Sequence, residues 1–446
     1  MTFATAADAI AFIEQSVLRP ADTYDVLPAR LRQIARYPYM YALMAELGHP
    51  ETTLRVAHIA GTSGKGSTAA MVHAIARAAG VHAGLYTSPY VTVPQERIQI
   101  GDSFIDDALF IACTADVSAA LGRIRSRFPD FEPHLKMIWV GVMLLAFARA
   151  KVDLAVIEVG KGGLYDETNI VSPATSTIVS IGYDHMISLG DTLPEIAFNK
   201  AGIIKAGSPV ISGVTMSEPR KIIEAQARLA GVPLATIGDE FDYSSIRLTW
   251  QATQFQYVAM GGGDLPNCQL GLIGSHYAHN AALAIRTVRT LFPTISDAVI
   301  REGLRQAWLP GRFEIVAQQP TVILDAAHNG DKIAALTATL SAILQSRRLI
   351  VIFGAMSTKD AQPMLAALAP LRPRLIATAP TVVGRTASPA AHIAQIAAAN
   401  GCDAVTEDDP HVALDRALHE AQPDDVIVVT GSLFLVSQLR PRFITS

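Results

Sequence analysis

Short, continuous apolar runs alternate along the chain with Ala- and Leu-rich stretches that read as helices. Nine runs read as strands: Leu54–Ala60, Val81–Tyr86, Val152–Val159, Thr177–Ile181, Pro209–Ser212, Thr321–Leu324, Arg348–Phe353, Arg374–Ala377 and Asp425–Val429. They are rich in β-branched residues and do not alternate with polar ones. Such runs suit strands covered on both faces, so the pattern predicts an α/β protein with mostly parallel sheets. Asp239–Gly271 differs: alternating patches and a Gly261-Gly262-Gly263-Asp264 turn predict a small antiparallel unit. The stretch Ile295–Trp308 reads as a helix that Leu309-Pro310-Gly311 breaks, and a fresh strand–helix series follows Arg312. The expected division is a nucleotide-binding unit at 1–311 and a smaller Rossmann-like α/β unit at 312–446.

Composition narrows the picture. At roughly 150 residues per domain, 446 residues allow two or three domains. Apolar types make up 50% and Asp, Glu, Lys and Arg 17%, which is not the signature of disorder. The formal net charge of −4 argues against a broad basic footprint for nucleic acid or an anionic membrane, while leaving room for a local basic pocket. Met137–Ala148 is apolar but shorter than the about 20 residues that span a bilayer, so it reads as a buried helix. The N-terminal stretch has no basic region and carries Asp8, unlike a secretory signal. Cys113, Cys268 and Cys402 are far apart and form no CxxC, which excludes a disulfide framework or structural zinc site and suits a reducing compartment. The expectation is a soluble, cytoplasmic protein.

The strongest local signal is Gly61-Thr62-Ser63-Gly64-Lys65-Gly66-Ser67-Thr68, between an apolar strand and a helix-competent segment that Gly80 is placed to end. Glycines let the backbone approach phosphate oxygens, and the N–H groups and dipole of a helix start favour anions. Lys65 is of a length to reach β- and γ-phosphates, and a hydroxyl there can bind Mg²⁺. The match to Walker A is imperfect: Ile59 replaces the first glycine, and Gly66 separates Lys65 from Ser67.

Glu158 ends a buried strand, at the edge where parallel sheets bind ligands, and offers a hard oxygen to Mg²⁺. Its residue type also suits a solvated strand end. His185 follows another strand and could ligate metal or orient water; alone it equally suits a hydrogen-bonded loop histidine.

Together these motifs resemble the Mur ligase superfamily and, within it, the folylpolyglutamate synthase/dihydrofolate synthase family. The phosphate loop resembles GT-x-GKGS. Leu85–Pro89 with Glu96-Arg97-Ile98 resembles LYTSPH…ERI, and Glu158–Asn169 resembles EVGLGGRLDATN. Gly182–His185 with Leu189–Thr192 resembles GLDH…LGDT, and Lys200–Lys205 resembles KAGIIK. His276 with Asn280, Pro310–Glu314, Asp325–Asn329, Phe353–Ala355 and Thr430–Leu433 complete a set in family order.

The resemblance implies an ATP-dependent amide ligase. A folate-type carboxylate takes the γ-phosphoryl group, and the amine of L-glutamate then displaces phosphate. By the same resemblance, Gly61 to Thr68, Asn280, Arg312 and Asp325 bind ATP. Ser67, Glu158 and His185 hold two Mg²⁺ ions, and Lys65, Lys200 and His328 are catalytic. Thr87, Ser88, Pro89, Tyr90, Asp166, His328 and Ser432 lie on the substrate side. The resemblance also allows for a monovalent cation and a carbamylated Lys200. It implies a monomer acting on small molecules, without nucleic acid or membrane. On residue type alone, Lys200 also suits a surface helix, Arg312 a hinge ion pair and Asp325 a solvated strand end.

The sequence departs from the family pattern around the acceptor. Tyr90 replaces His, Lys161 replaces Leu, Leu164 replaces Arg, Glu167 replaces Ala, and Asn199 and Ser63 replace the usual residues. Arg and Lys differ in geometry, so this redistribution of charge points to retained ATP chemistry with an altered acceptor pocket or to simple drift. The competing readings are the same chemistry on another pterin-like or carboxylate acceptor, a non-catalytic nucleotide-binding homologue, and a P-loop phosphotransferase.

Overall fold

A computed structural model describes residues 2–16, 27–382 and 385–444. The strands are β1 (Val56–Ala60), β2 (Ala83–Tyr86), β3 (Ile98–Ile100), β4 (Ser103–Phe104), β5 (Leu154–Glu158), β6 (Pro173–Ile178), β7 (Val210–Ser212) and β8 (Leu234–Thr236). They form one sheet in the order β4-β3-β2-β5-β1-β6-β7-β8, parallel except at β3 and β4. Next come β9 (Phe241–Leu248), β10 (Thr253–Ala259) and β11 (Leu265–Leu270), a three-stranded antiparallel sheet as expected from the alternating patches. The remaining strands are β12 (Glu314–Gln318), β13 (Thr321–Leu324), β14 (Leu349–Phe353), β15 (Arg374–Ala377), β16 (Asp403–Thr406) and β17 (Val426–Thr430). Their order is β12-β13-β17-β14-β15-β16, with only the β12–β13 hairpin antiparallel.

Apolar continuity and double-sided covering coincide. Every residue of β1, β5, β14 and β17 is buried. Burying one such aliphatic side chain contributes about 1.5–3 kcal/mol, so these strands anchor the two parallel sheets. Met137–Ala148 lies in the helix Leu135–Ala150, whose residues 137–147 are buried. Among the described residues no helix is long and apolar enough to cross a membrane. The three cysteines are free and buried.

Two expectations shift. The run read as Thr177–Ile181 is a strand over Pro173–Ile178. Proline can open a strand because its missing N–H is least costly there, and residues 179–181 leave the sheet toward the phosphate loop. The helix read as Ile295–Trp308 is Asp297–Gln306, started by Ser296, whose hydroxyl accepts from Val299 N–H. It packs on the helix Lys65–Ala78 so closely that a Cβ on Gly303 would sit 2.3 Å from Ile75 Cα. Strands β3, β4, β8, β12 and β16 were not among the nine runs; they are edge or near-edge strands with mixed burial.

Candidate active site

Strand β1 delivers the phosphate loop. Gly64 (φ +82°) caps the helix Lys65–Ala78, and a Cβ there would lie 2.5 Å from Asn280 Oδ1, so glycine is required on two counts. The loop is tied to the segment after β6. Thr62 N–H donates to Ser180 O at 2.9 Å, Ser63 N–H donates to Ser180 Oγ at 2.9 Å, and Thr62 Oγ1 donates to Gly182 O at 3.1 Å. Asn280 Nδ2 donates to Ser67 Oγ at 2.8 Å. Thr68 is different. Its N–H donates to Gly64 O, its side chain is fully buried and its hydroxyl lacks a hydrogen-bond partner.

Two ammonium groups meet at one carbonyl. Lys65 Nζ and Lys200 Nζ both donate to Gly61 O, each at 3.0 Å. Lys200 is buried at 3% exposure, on the helix Leu193–Ala201. Burial, reinforced by Lys65, pushes its pKa down to about 7. It is not a surface lysine.

Glu158, at the end of β5, accepts from Ser88 N–H at 2.9 Å. Burial raises its pKa, against the pull of Lys65, the Ser88 N–H and Arg312. A Cβ on Gly66 would lie 3.3 Å from Glu158 Oε2. The glycine that spoils Walker A therefore stands where the first helical turn passes this carboxylate.

The loop after Glu158 is braced by Asp166. Its Oδ1 accepts from Gly160 N–H, Thr168 N–H and Thr168 Oγ1, and its Oδ2 accepts from Lys161 N–H. The carboxylate is 1% exposed. Its oxygens are engaged by the loop itself, so Asp166 holds the shape of the segment beside the expected substrate region. The loop carries Lys161, whose Nζ donates to Ser188 Oγ at 3.1 Å, and Glu167, whose Oε1 lies 2.6 Å from His134 Nε2. A 310 Å³ cavity is lined by Lys136, Lys161, His134, Glu167, Tyr37 and Tyr165, among others.

His185 adopts a left-handed conformation (φ +50°), is about half exposed and lies 3.7 Å from Asp184. Burial lowers its pKa; Lys161, Lys136 and Lys200 add to that, and Asp184 opposes it. Among the described residues no three His, Cys, Asp or Glu side chains form a metal-binding group. The structure thus does not gather a closed ligand cage around His185.

Thr87 N–H donates to Arg97 O at 3.0 Å, and a cis bond joins Ser88 to Pro89. Tyr90 Oη donates to Glu14 Oε1 at 3.2 Å, with the Arg97 guanidinium 5.5 Å from its ring centre. Glu96 accepts from three successive N–H groups, Val91, Thr92 and Val93. It also lies 3.6 Å from Arg440, which binds Glu314 at 3.0 Å and donates to Thr92 Oγ1 at 2.9 Å. This buried network joins the 88–97 loop to the third sheet and had no legible signal beyond Glu96 and Glu314 themselves.

From the third sheet come Arg312, Asp325, His328 and Ser432. Asp325 accepts from Phe313 N–H and Ala327 N–H, both at 2.9 Å; burial raises its pKa, opposed by Arg312 and these N–H groups. His328 Nδ1 donates to Ala326 O at 2.9 Å, and Nε2 lies 3.3 Å from Lys332 Nζ. Burial, then Lys332, lowers its pKa to about 4. Ser432 is 2% exposed, and its hydroxyl accepts from Phe434 N–H to cap the helix Leu433–Leu439. Its hydroxyl thus serves as a helix cap in this structure.

A 460 Å³ cleft unites the two parallel sheets. Ser63, Gly64 and Ser67 line it from the first, and Arg312, Asp325 and Lys332 from the third. Ile273, Tyr277, Phe313 and Leu336 supply an apolar stretch suited to a flat ring. Sequence reasoning missed Tyr277, Ser180 and Lys332. Lys332 had a usable signal, because it stands one helical turn beyond His328.

Residues 130–288 match the Mur ligase middle domain, and residues 311–433 match the Mur ligase glutamate ligase domain. The dihydrofolate synthase/folylpolyglutamate synthase of Bacillus subtilis is 33% identical over 435 residues, covering 90% of this chain and 94% of that protein. The chain belongs to the folylpolyglutamate synthase/dihydrofolate synthase family. Among solved members of this family, the Mycobacterium tuberculosis folylpolyglutamate synthase complexed with ADP superposes with a TM-score of 0.86 at 28% identity, covering 98% of this chain and 100% of that one. The FPGS–AMPPCP–folate complex gives 0.82 at 29% identity, covering 100% of both.

Proposed function

We propose that the protein adds L-glutamate to a folate-type carboxylate, dihydropteroate or a tetrahydrofolate polyglutamate, in an ATP-dependent amide ligation through an acyl phosphate. The carrying observation is the shared cleft: a phosphate loop on one parallel sheet opposes Arg312, Asp325 and Lys332 on another. We divide the chain into an ATP-binding unit, 1–311, and a glutamate-ligase unit, 312–446. A carboxylate is a poor acyl donor because its oxygen leaves badly, and phosphorylation supplies a leaving group. Charge grows on the transferring phosphoryl, where Lys65 and Arg312 supply opposite charge in a partly dry site. Closure across Leu309–Arg312 would shield the acyl phosphate from water.

Glu158 and Ser67 fit Mg²⁺, since both present hard oxygens and a cation would favour the charged form of the buried Glu158 carboxylate, against the burial that raises its pKa. Mg²⁺ bound there would neutralise phosphate charge. His185 is the third candidate ligand, for a second ion. Lys200, with a pKa near 7, is substantially neutral at physiological pH, the state in which an amine attacks CO₂. Carbamylation would replace a crowded cation beside Lys65 with an anion. We further propose a cytoplasmic monomer acting on small molecules, consistent with its free cysteines and mild net charge.

Lys161 and Glu167, both in the loop beside the second cavity, favour a second reading in which the acceptor is another pterin-like or carboxylate compound. Incubating the purified protein with Mg-ATP, glutamate and, separately, dihydropteroate or reduced folates tests both readings by product mass. A glutamyl adduct with ADP release supports the first. Adducts only with a non-folate acceptor support the second, and absence of nucleotide binding defeats both.

A further inference from the structure

We propose that Lys332 binds the γ-phosphoryl group of ATP from the third-sheet side of the cleft. This rests on the ATP reading of the cleft but not on the identity of the acceptor.

Lys332 occupies the first turn of the helix Gly330–Ile343, where Asn329 Oδ1 accepts its backbone N–H at 2.9 Å and fixes the start of the helix. Its side chain is part-buried and lines the 460 Å³ cleft together with Ser63, Gly64 and Ser67 of the phosphate loop. Its position within that cleft is restrained by His328. Because His328 Nδ1 donates to Ala326 O, its Nε2 carries a lone pair, and the Lys332 ammonium donates to it at 3.3 Å. Two further ammonium protons remain for a ligand.

The charges around Lys332 identify that ligand. Its electrostatic neighbours include the cations Arg312, Lys65 and Lys359, while Asp184 is the only carboxylate among the principal influences on it. No carboxylate lies within ion-pair distance of its ammonium among the described residues. Lys65 and Lys200 already crowd Gly61 O. Cations converging from both sheets repel one another until a polyanion lies between them. A triphosphate meets that need. The loop amides and the helix start hold the inner phosphates, and the ring-sized apolar wall at Ala335 and Leu336 lies one turn further along Lys332's own helix. Lys332 shares the cleft wall with Ser63, Gly64 and Ser67 of the phosphate loop, which puts it in reach of the terminal phosphoryl group as that emerges toward the acceptor.

Calorimetric titration of the full chain with Mg-ADP and with Mg-β,γ-methylene-ATP tests this. Lys332→Met should weaken the triphosphate analogue about 10- to 100-fold, the scale of one charge-assisted hydrogen bond in a part-buried site, and change ADP by less than about 3-fold. Lys332→Arg should restore most of the loss. Retained ADP affinity also shows that the variant is folded. Equal losses for both nucleotides, no loss for either, or an effect confined to the KM for glutamate would overturn the assignment. If the wild type bound neither nucleotide, the ATP reading beneath it would fall too. If ATP discrimination holds while folates are not glutamylated, Lys332 keeps its role and only the acceptor is wrong.

Discussion

Two polar clusters, around Gly61 and around Asp166, look equally motif-like in the sequence and behave oppositely in the structure. At Gly61, Lys65 and Lys200 share a single carbonyl oxygen. Those bonds are replaceable, and a phosphate would compete well for at least the first. At Asp166, four donors from Gly160, Lys161 and Thr168 converge on one buried carboxylate. Both of its oxygens are engaged by the loop they brace. A motif residue whose hydrogen bonds can be exchanged is available to a ligand; one whose donors and acceptors are engaged by its own loop holds shape.

The comparison breaks most visibly at Lys65. Lys65→Ala or Glu158→Ala should lower turnover by about 1000-fold or more while leaving the fold intact, because each removes charge from the reacting site. Substantial remaining ligase activity would refute their roles. On the bracing side, Arg440→Met should cost about 3–5 kcal/mol in chemical denaturation, because it strands Glu314 as a buried, unpaired charge. Asp166→Ala should cost about 2–4 kcal/mol by leaving buried N–H groups unpaired, and its activity loss should parallel unfolding. A stable but inactive Asp166→Ala protein would return Asp166 to the substrate.

Lys200 sharpens the contrast through pH. Its folded pKa, near 7, lies below the ordinary lysine value of 10.5. Between those values the unfolded chain holds a proton that the folded chain lacks, so stability rises with pH across that window and is lost as pH falls through 7. Denaturation midpoints at pH 7 and pH 9 should therefore show the wild type gaining on Lys200→Met. A pH-independent difference would mean that the amine is not the buried, destabilised group described here. The smallest effect is expected at Tyr90. Tyr90→Phe loses one peripheral bond to Glu14 and should change stability by about 1 kcal/mol or less, with kcat within a few-fold.

Much of this was readable before the structure, for physical reasons. β1, β5, β14 and β17 are buried on both faces, so their apolar continuity marks them in one dimension. Edge strands such as β4 and β16 carry mixed burial and leave no such mark. The phosphate loop is local, with glycines, lysine and hydroxyls in eight residues. Lys332 was harder because the phosphate-loop residues with which it lines the cleft, Ser63, Gly64 and Ser67, are distant in sequence. Arg440 was invisible because its meaning depends on Glu96 and Glu314, each far along the chain. Asp166, Thr68 and Ser432 show what residue type leaves open: it says that a group can bind a ligand, and only the folded chain shows that a backbone N–H or the core also engages it.

The most direct test of the central claim follows the oxygen. With the acceptor carboxylate labelled with ¹⁸O, turnover with Mg-ATP and glutamate should place one labelled oxygen in each inorganic phosphate released, because that oxygen leaves with the phosphoryl group when the amine attacks. Amide formation with unlabelled phosphate, or with the label in AMP, would contradict an acyl phosphate formed in this cleft.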